Sequence, residues 1–360
     1  MKTPLVAISA VLTFGTAFGA KYAGEFMYVG AGARALGMGG AFSAISDDGT
    51  AGYWNPAGLT VTTGQTASFM HSERFGGLIS YDYLAYTRKL GTDALGASFF
   101  RTDLGSIANT NDLEWYDTGA DGVFGLDGQG EPGDSGNDDY DPDTNPGGTE
   151  GNDQWDPGEE IIYDEGRITW QSASDNALYL SWARPLSEDF SIGANVKMVY
   201  RDLMDYSAWG LGLDAALLWK PTSAFSVGLN LQDITGTHLF WNNGHTEVVN
   251  PTAKVGTAFA IPLRKFSSVL TVGLDGDFRF EGRKYSAQYS RGEVSLDTRA
   301  GLELLIRDTV GLRLGSSEGN MTAGIGLKIG LFGRPVSLDY AWLGHDELEN
   351  THRFSVGIGF

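Results

Sequence analysis

The chain has no cysteine. That excludes disulfides, a thiol nucleophile, a cysteine metal site and a lipid anchored on cysteine. Proline is sparse, eleven in 360 residues, so proline-rich linkers are excluded. Beyond residue 20 no run of eighteen apolar residues occurs, which rules out a membrane-crossing helix. No basic stripe is present, so nucleic acid is not an expected partner. No HExxH or paired-carboxylate context appears, and nothing points to an enzyme. One long stretch, residues 103–165, contains no Lys or Arg at all.

What is present is as uneven. The net charge is −20, yet nineteen of the forty-five acidic residues lie in that one stretch, and the remainder nearly balances. Glycine is frequent (51), and there are nine Trp, fifteen Tyr and nineteen Phe. The apolar residues are spread in alternation rather than gathered into blocks. Residues 1–20 carry Lys2, an apolar run from Leu5 to Phe18 and small residues at Ala17 and Gly19. This is the pattern of a secretory signal peptide, too short to span a membrane.

Period-two alternation sets the fold class, because successive side chains of a strand point to opposite faces. Near the end, Phe354, Val356, Ile358 and Phe360 share one face, with Ser355, Gly357 and Gly359 on the other. Leu270, Val272, Leu274, Phe278 and Phe280 oppose Thr271, Gly273, Asp275, Asp277 and Arg279 in the same way. Strands of nine to eleven residues with an apolar outer face and a polar inner one fit a tilted membrane strand. A soluble sandwich would not normally put Asp, Lys and Arg on one face of so many strands. Fourteen segments are expected, with cores at 63–72, 77–89, 93–102, 174–186, 189–201, 207–220, 224–233, 251–262, 267–280, 293–305, 309–316, 320–331, 335–343 and 351–360. Connections after even-numbered strands are short, and most of those after odd-numbered ones are longer and polar. Bacterial barrels alternate short periplasmic turns with longer outer loops in this way. The expected fold is therefore all-β, a transmembrane antiparallel β-barrel of about fourteen strands. It occupies residues 62–360, with the acidic insertion 103–168 on the cell exterior. On this register Lys197, Arg201, Lys254, Asp275, Asp277, Arg279, Asp297, Arg299, Glu303, Arg313 and Asp339 face the lumen. Their mixed signs suggest ion pairs bracing the wall rather than an ion-selective ring.

Between signal and strands lies GARALGMGGAFSAISDDGTAGYWNPAGL, residues 32–59. Residues 29–35 imitate a dinucleotide fingerprint, but that motif needs a preceding strand and a surrounding βαβ unit. Asn55 suits a helix N-cap and Pro56 the first helical position. Asp47-Asp48-Gly49 reads as a turn. The order of signal, small-residue segment and alternating strands resembles the FadL-type outer-membrane channels. The wording GARALGMGGA…YWNPAGL looks most like their PorV/PorQ branch. The resemblance implies that residues 21–61 form a small helical hatch folded into the lumen. It implies roles there for Gly37, Gly39 and Gly40, which permit backbone conformations other residues avoid, and for Asn55, Pro56 and Ala57. Phe360, at the tip of an apolar-out strand, resembles the terminal signal read by the barrel-assembly machinery.

In the acidic segment Asp139, Asp141, Asp143, Asn145 and Glu150 fall at positions 1, 3, 5, 7 and 12 of a calcium-loop frame. Thr144 stands where such a loop needs Gly, and Pro142 and Pro146 stiffen the run; a solvated acidic loop is the plainer reading. Ca²⁺ is the one cofactor the sequence suggests. His71, His238, His245, His345 and His352 fall in or beside expected outer connections and form no metal motif.

Three functions compete. The first is a Gram-negative outer-membrane channel moving hydrophobic molecules. The second is a PorV-like type IX secretion component that binds secreted cargo without transport. The third is a surface-adhesion role for the acidic loop. Outer-membrane lipid and the barrel-assembly machinery are expected partners in each.

Overall fold

The computed structural model describes residues 23–74, 76–109, 115–116, 119, 139–152, 162–163, 166, 168–345 and 350–360. The expected signal peptide, residues 1–20, lies outside these. Fourteen antiparallel strands form the barrel: β1 (Gln65–Arg74), β2 (Ile79–Leu90), β3 (Asp93–Asn109), β4 (Thr169–Pro185), β5 (Phe190–Leu203), β6 (Tyr206–Thr222) and β7 (Phe225–Gln232) make one half. The other half comprises β8 (Thr252–Leu263), β9 (Ser268–Arg279), β10 (Val294–Ile306), β11 (Val310–Ser317), β12 (Asn320–Leu331), β13 (Arg334–Leu343) and β14 (Thr351–Gly359). β1 pairs with β2 on one side and with β14 on the other, from Thr66 opposite Gly359 to Glu73 opposite His352, and this closes the sheet. Closure removes the two free edges that an open sheet would present to lipid. Phe360 completes the seam by donating its N–H to Gln65 O at 2.8 Å.

All fourteen expected strands are present, and the faces are as the alternation predicts. Large apolar residues point outward and stay exposed: Leu211 at 52 %, Leu274 at 51 %, Leu314 at 57 % and Phe354 at 57 %. Lys197 and Lys254 are 1 % and 2 % exposed. A protein folded for water would invert this. Aromatic pairs mark both rims of the outer face. Trp209 and Phe240 lie 5.1 Å apart at one end, and Phe225 and Phe259 lie 5.0 Å apart at the other, with Trp219 beside them. Trp209 and Trp219 lie on the same strand, about 33 Å apart at the usual rise and about 25 Å in height at a typical tilt. That matches the apolar band of a bacterial barrel.

The short connections follow β2, β4, β6, β8, β10 and β12, as expected. At Arg307-Asp308 and Phe332-Gly333 both turn residues have positive φ, the geometry that matches strand twist in a two-residue hairpin. One expectation changes. β5 and β6 run further than their apolar cores, to Leu203 and from Tyr206, so Met204-Asp205 is a tight turn rather than a longer loop. The extension is held by a hairpin, Thr237–Trp241 with Thr246–Val249, whose first strand pairs with β6.

The chain divides into two compact units. One is the barrel with its N-terminal segment. The other spans residues 106–172, close to the expected insertion. Its described residues include a loop in which Asp139 bridges to Glu150 and Asp141 to Asn145, and a short ladder pairing 115–116 with 162–163.

Candidate functional site

The candidate site is the N-terminal hatch and the lumen wall around it. The hatch is built of single turns: a 3-10 turn at Glu25–Tyr28, α1 (Ala33–Gly37), α2 (Ala51–Trp54) and a second 3-10 turn at Pro56–Thr60. Helices this short are not stable alone, so side chains and the wall hold them. Asp48 Oδ1 accepts from the N–H and the hydroxyl of Thr50 at 2.9 and 2.6 Å, the turn expected at Asp47-Asp48-Gly49. Asn55 Oδ1 accepts from Ala57 N at 3.0 Å and caps the second 3-10 turn, with Pro56 in its first position. Asn55 Nδ2 also donates to Ser43 O (2.8 Å) and to Leu217 O of β6 (3.0 Å). One fully buried amide therefore ties two hatch segments to the wall. Gly39 and Gly40 have φ of +67° and +74°. Gly37 does not have a positive φ. Its reason is proximity: a Cβ there would meet Gly324 Cα at 3.1 Å.

The same closeness recurs around the barrel. A Cβ at Gly193 would come within 2.3 Å of Ala57 N, at Gly228 within 2.1 Å of Ser43 O, and at Gly273 within 2.6 Å of Ala41 O. At Gly301 it would reach Met38 O at 2.3 Å, and at Gly315 Gly39 N at 2.4 Å. Gly273, Gly301 and Gly315 lie side by side in register on β9, β10 and β11. The wall presents a glycine track against which the hatch backbone rests. Only residues without side chains let two backbones approach so closely.

Polar side chains of the wall then satisfy the hatch backbone. Asp275 Oδ2 accepts from Phe42 N and Ser43 N at 3.1 and 2.8 Å. Asn195 and Asn230 donate to Gly52 O and Trp54 O, each at 2.9 Å. Ser226 donates to Ala44 O at 2.8 Å, and Ser355 accepts from Ala33 N at 2.6 Å. Arg34 makes a fork to Glu303, Nε to Oε1 at 2.9 Å and Nη2 to Oε2 at 2.8 Å, and reaches Asp47 at 2.6 Å. Burial alone would lower the Arg34 pKa, but Asp47, Glu303 and Asp48 hold it above its ordinary value. Each neutral hydrogen bond is worth about 1 kcal/mol net, and leaving its buried partner unmet costs more.

The lumen charges sit where the alternation put them, and they pair. Lys197 lies 2.8 Å from Asp214 and also contacts Asp233. Arg279 meets Asp297 at 2.9 Å, and Arg299 meets Asp277 at 3.1 Å. Arg313 meets both Glu303 and Asp339 at 2.8 Å. Lys254 is 3.7 Å from Asp277 and lies under three hatch rings, Tyr28, Tyr53 and Trp54, at 5.6 to 5.7 Å. These pairs brace the wall and grip the hatch; their mixed signs make no selective ring.

On the side of β2, β3 and β4 the lining is different. Tyr81, Tyr83, Phe100 and Tyr179 are fully buried and enclose an aromatic compartment. Phe26 of the hatch enters it, and Met27 belongs to the same buried hydrophobic cluster. Phe26 lies 6.2 Å from Phe100, and Tyr53 stacks on Tyr179 at 6.3 Å. Tyr53 Oη donates to Met27 O at 2.8 Å and accepts from Gly30 N at 3.0 Å. Burial pushes its phenol up to about 12, so it stays protonated and can donate. A separate cleft of about 360 Å³ lies between the hatch and β1, β13 and β14, lined by Arg34, Asp47, Thr62, Ser68, Ser337 and Asp339 among others. Its lining is mixed, with Met70, Tyr83, Val336 and Val356 beside those polar groups.

The remaining candidates do not converge. His71 binds Asp82 at 2.8 Å, His352 binds Tyr340 Oη at 2.7 Å, and His238 stacks on Phe240. Among the described residues no three His, Asp or Glu side chains form a metal-ligating group. In the acidic unit Asp141 Oδ1 accepts from Asp143 N and Thr144 N at 2.8 and 2.7 Å. These bonds, that of Thr144 foremost, hold its carboxyl below the usual range. Asn145 donates to Asp139 O at 2.8 Å, and Tyr140 N donates to Glu150 O at 2.8 Å. Phe360 points outward under the guanidinium of Arg334, 4.6 Å from its ring centre.

No protein-family model and no curated protein matches the chain. Solved structures do. The toluene transporter TbuX of Ralstonia pickettii superposes with a TM-score of 0.52 at 12 % identity, over 91 % of this chain and 97 % of that one. A Pseudomonas aeruginosa FadL homologue gives 0.51 at 10 % identity, with 91 % and 97 % covered. The Pseudomonas putida toluene transporter TodX gives 0.50 at 10 % identity with the same coverage. The fold of this chain is thus that of the FadL-type channels, a closed fourteen-stranded barrel.

Proposed function

We propose that this protein is an outer-membrane channel that admits hydrophobic small molecules and that its hatch is the gate. The observation carrying this reading is the aromatic compartment inside an otherwise polar lumen. Tyr81, Tyr83, Phe100 and Tyr179 would receive an apolar molecule once Phe26 and Met27 withdraw. The outward apolar band supports a membrane location, and the transporters that share the fold support the cargo class. Export by residues 1–20 and assembly through Phe360 belong to the same reading. The test is toluene uptake by cells expressing the barrel, or expressing Phe26→Ala with Met27→Ala. Faster uptake with the barrel, and faster still with the double variant, is expected. Equal uptake with and without the barrel would sink the reading.

The second reading is a PorV-like secretion component. The glycine track and the ring of hydrogen bonds favour it, because a hatch held so closely suits a binding platform better than a passage. Co-purification with secreted cargo separates the two, and absence of cargo from the purified barrel counts against it. Calcium binding by the acidic unit is proposed separately. It rests on the twelve-residue frame and on the bridge joining its first and last positions, Asp139 and Glu150. Calorimetric titration of the full chain with Ca²⁺ tests it, and no heat at millimolar metal removes it.

A further inference from the structure

Buried bases in this lumen have partners, with one exception. Lys197, Lys254, Arg279, Arg283, Arg299 and Arg313 each lie within ion-pairing distance of an Asp or Glu. Arg353, on β14 and 3 % exposed, is the buried base with no such partner among the described residues. Its Nε and Nη1 are buried without any hydrogen bond. The nearest inward carboxylate on the adjoining strand, Asp339 of β13, is taken by Arg313.

The neighbours of Arg353 share its condition. Ser72 of β1 sits directly opposite it in the register, and Tyr81 of β2 sits directly opposite Ser72. Both are buried, and Ser72 Oγ and Tyr81 Oη have no partner. The Arg353 guanidinium lies 5.6 Å from the Tyr81 ring centre, a contact that compensates only part of a buried charge. Arg74, two residues beyond Ser72 on the same face, adds positive field to the row. Three strands thus bring one cation and two hydroxyls into a line with unmet donors. Burying a guanidinium without acceptors is strongly unfavourable. A carboxylate supplies the missing charge and accepts both from the planar fork and from hydroxyls.

We propose that Arg353, Ser72 and Tyr81 form a binding site for a carboxylate whose apolar body lies in the aromatic compartment. Tyr81 belongs to both regions, since its ring centre is 6.0 Å from that of Phe100. The ligand class is an aromatic monocarboxylate. The site rests on the proposed opening of that compartment, since the apolar body takes the place of Phe26, but occupancy needs no passage through the barrel.

The experiment uses the full-length barrel in a neutral detergent and buffer free of carboxylates, titrated calorimetrically with benzoate, acetate and toluene. Benzoate is expected to bind one to one in the millimolar range or tighter, and acetate at least tenfold more weakly. Arg353→Gln is expected to weaken benzoate at least tenfold while leaving toluene unchanged. Ser72→Ala and Tyr81→Phe are each expected to weaken benzoate about threefold to tenfold. Heat-modifiable gel migration verifies the fold of every variant. If Arg353→Gln does not fold, the two hydroxyl variants decide the matter. No benzoate binding at 10 mM, undiminished binding in Arg353→Gln, or undiminished binding in both hydroxyl variants overturns the site. Equal binding of acetate and benzoate overturns the placement of the apolar body. Toluene uptake reports separately on the channel reading, so failure of one leaves the other standing.

Discussion

The two sides of the lumen hold the hatch by different physics. From β5 to β12 the wall offers glycine, amide, hydroxyl and paired charge, and it touches hatch backbone. From β2 to β4 it offers aromatic rings and touches hatch side chains. Backbone contacts of the first kind are short, directional and lost together. Apolar contacts of the second kind are non-directional and can be replaced by another apolar body without leaving polar groups unmet. The difference teaches where movement should start. On the proposed channel reading, a ligand that competes with Phe26 should displace the hatch edge on the aromatic side while the glycine track holds the rest.

The largest effect is expected from breaking that track. Gly301→Val sets a side chain where Met38 O now lies, and the two backbones must separate. The overpacking cost is about 3 kcal/mol or more, with the hatch hydrogen bonds lost besides. Protease sensitivity of residues 23–62 should rise sharply, with the barrel still folded. An intact, protected hatch in this variant would end the claim that the track is what seats it. Glu303→Gln attacks the same side through charge. It leaves Arg34 and Arg313 short of a carboxylate, and removing one member of a buried network costs about 3 kcal/mol. A lowered melting temperature is expected, and no change would mean that Asp47 and Asp339 carry both arginines unaided.

Met27→Ala tests the aromatic side. It removes an apolar chain from the compartment at a cost of about 2 kcal/mol, yet touches no backbone bond to the wall. The contrast with Gly301→Val is the point. Met27→Ala should leave the hatch protected over its middle while increasing access of small apolar molecules to Tyr179. Equal proteolysis in the two variants would show that the two sides act as one.

Much of this architecture could be read from the chain. Alternation placed all fourteen strands and the lumen faces of Lys197, Lys254 and Glu303, because period two is local and needs no partner. Asn55 and Pro56 were legible as a cap and first turn for the same reason. What the chain did not disclose depends on segments far apart in sequence. Gly301 reads as a tiny inward residue, and nothing local says that Met38 lies against it. Asp275 reads as one more lumen charge, whereas it binds two hatch amides. Arg353 was not among the expected lumen bases. Its isolation shows only when the carboxylates of every neighbouring strand have been assigned.

The smallest predicted effect sits on the boundary between the two sides. Tyr53 stacks on Tyr179 of the aromatic wall and lies over Lys254 of the polar one, and its hydroxyl joins Met27 O to Gly30 N. Tyr53→Phe keeps the ring and removes the hydroxyl, at a cost of about 1 kcal/mol near neutral pH. The cost should depend on pH in a definite sense. The folded phenol titrates at about 12, above the value near 10 expected in an unfolded chain. The protonated form is the one the fold prefers, so its contribution is complete below about pH 10 and is lost as pH rises toward 12. Phenylalanine has no such loss. The stability gap between wild type and Tyr53→Phe should therefore narrow between pH 10 and 12, measured as melting temperature against pH. A gap that stays constant over that window would mean that solvent reaches the phenol, and that the boundary between the two sides is open to water.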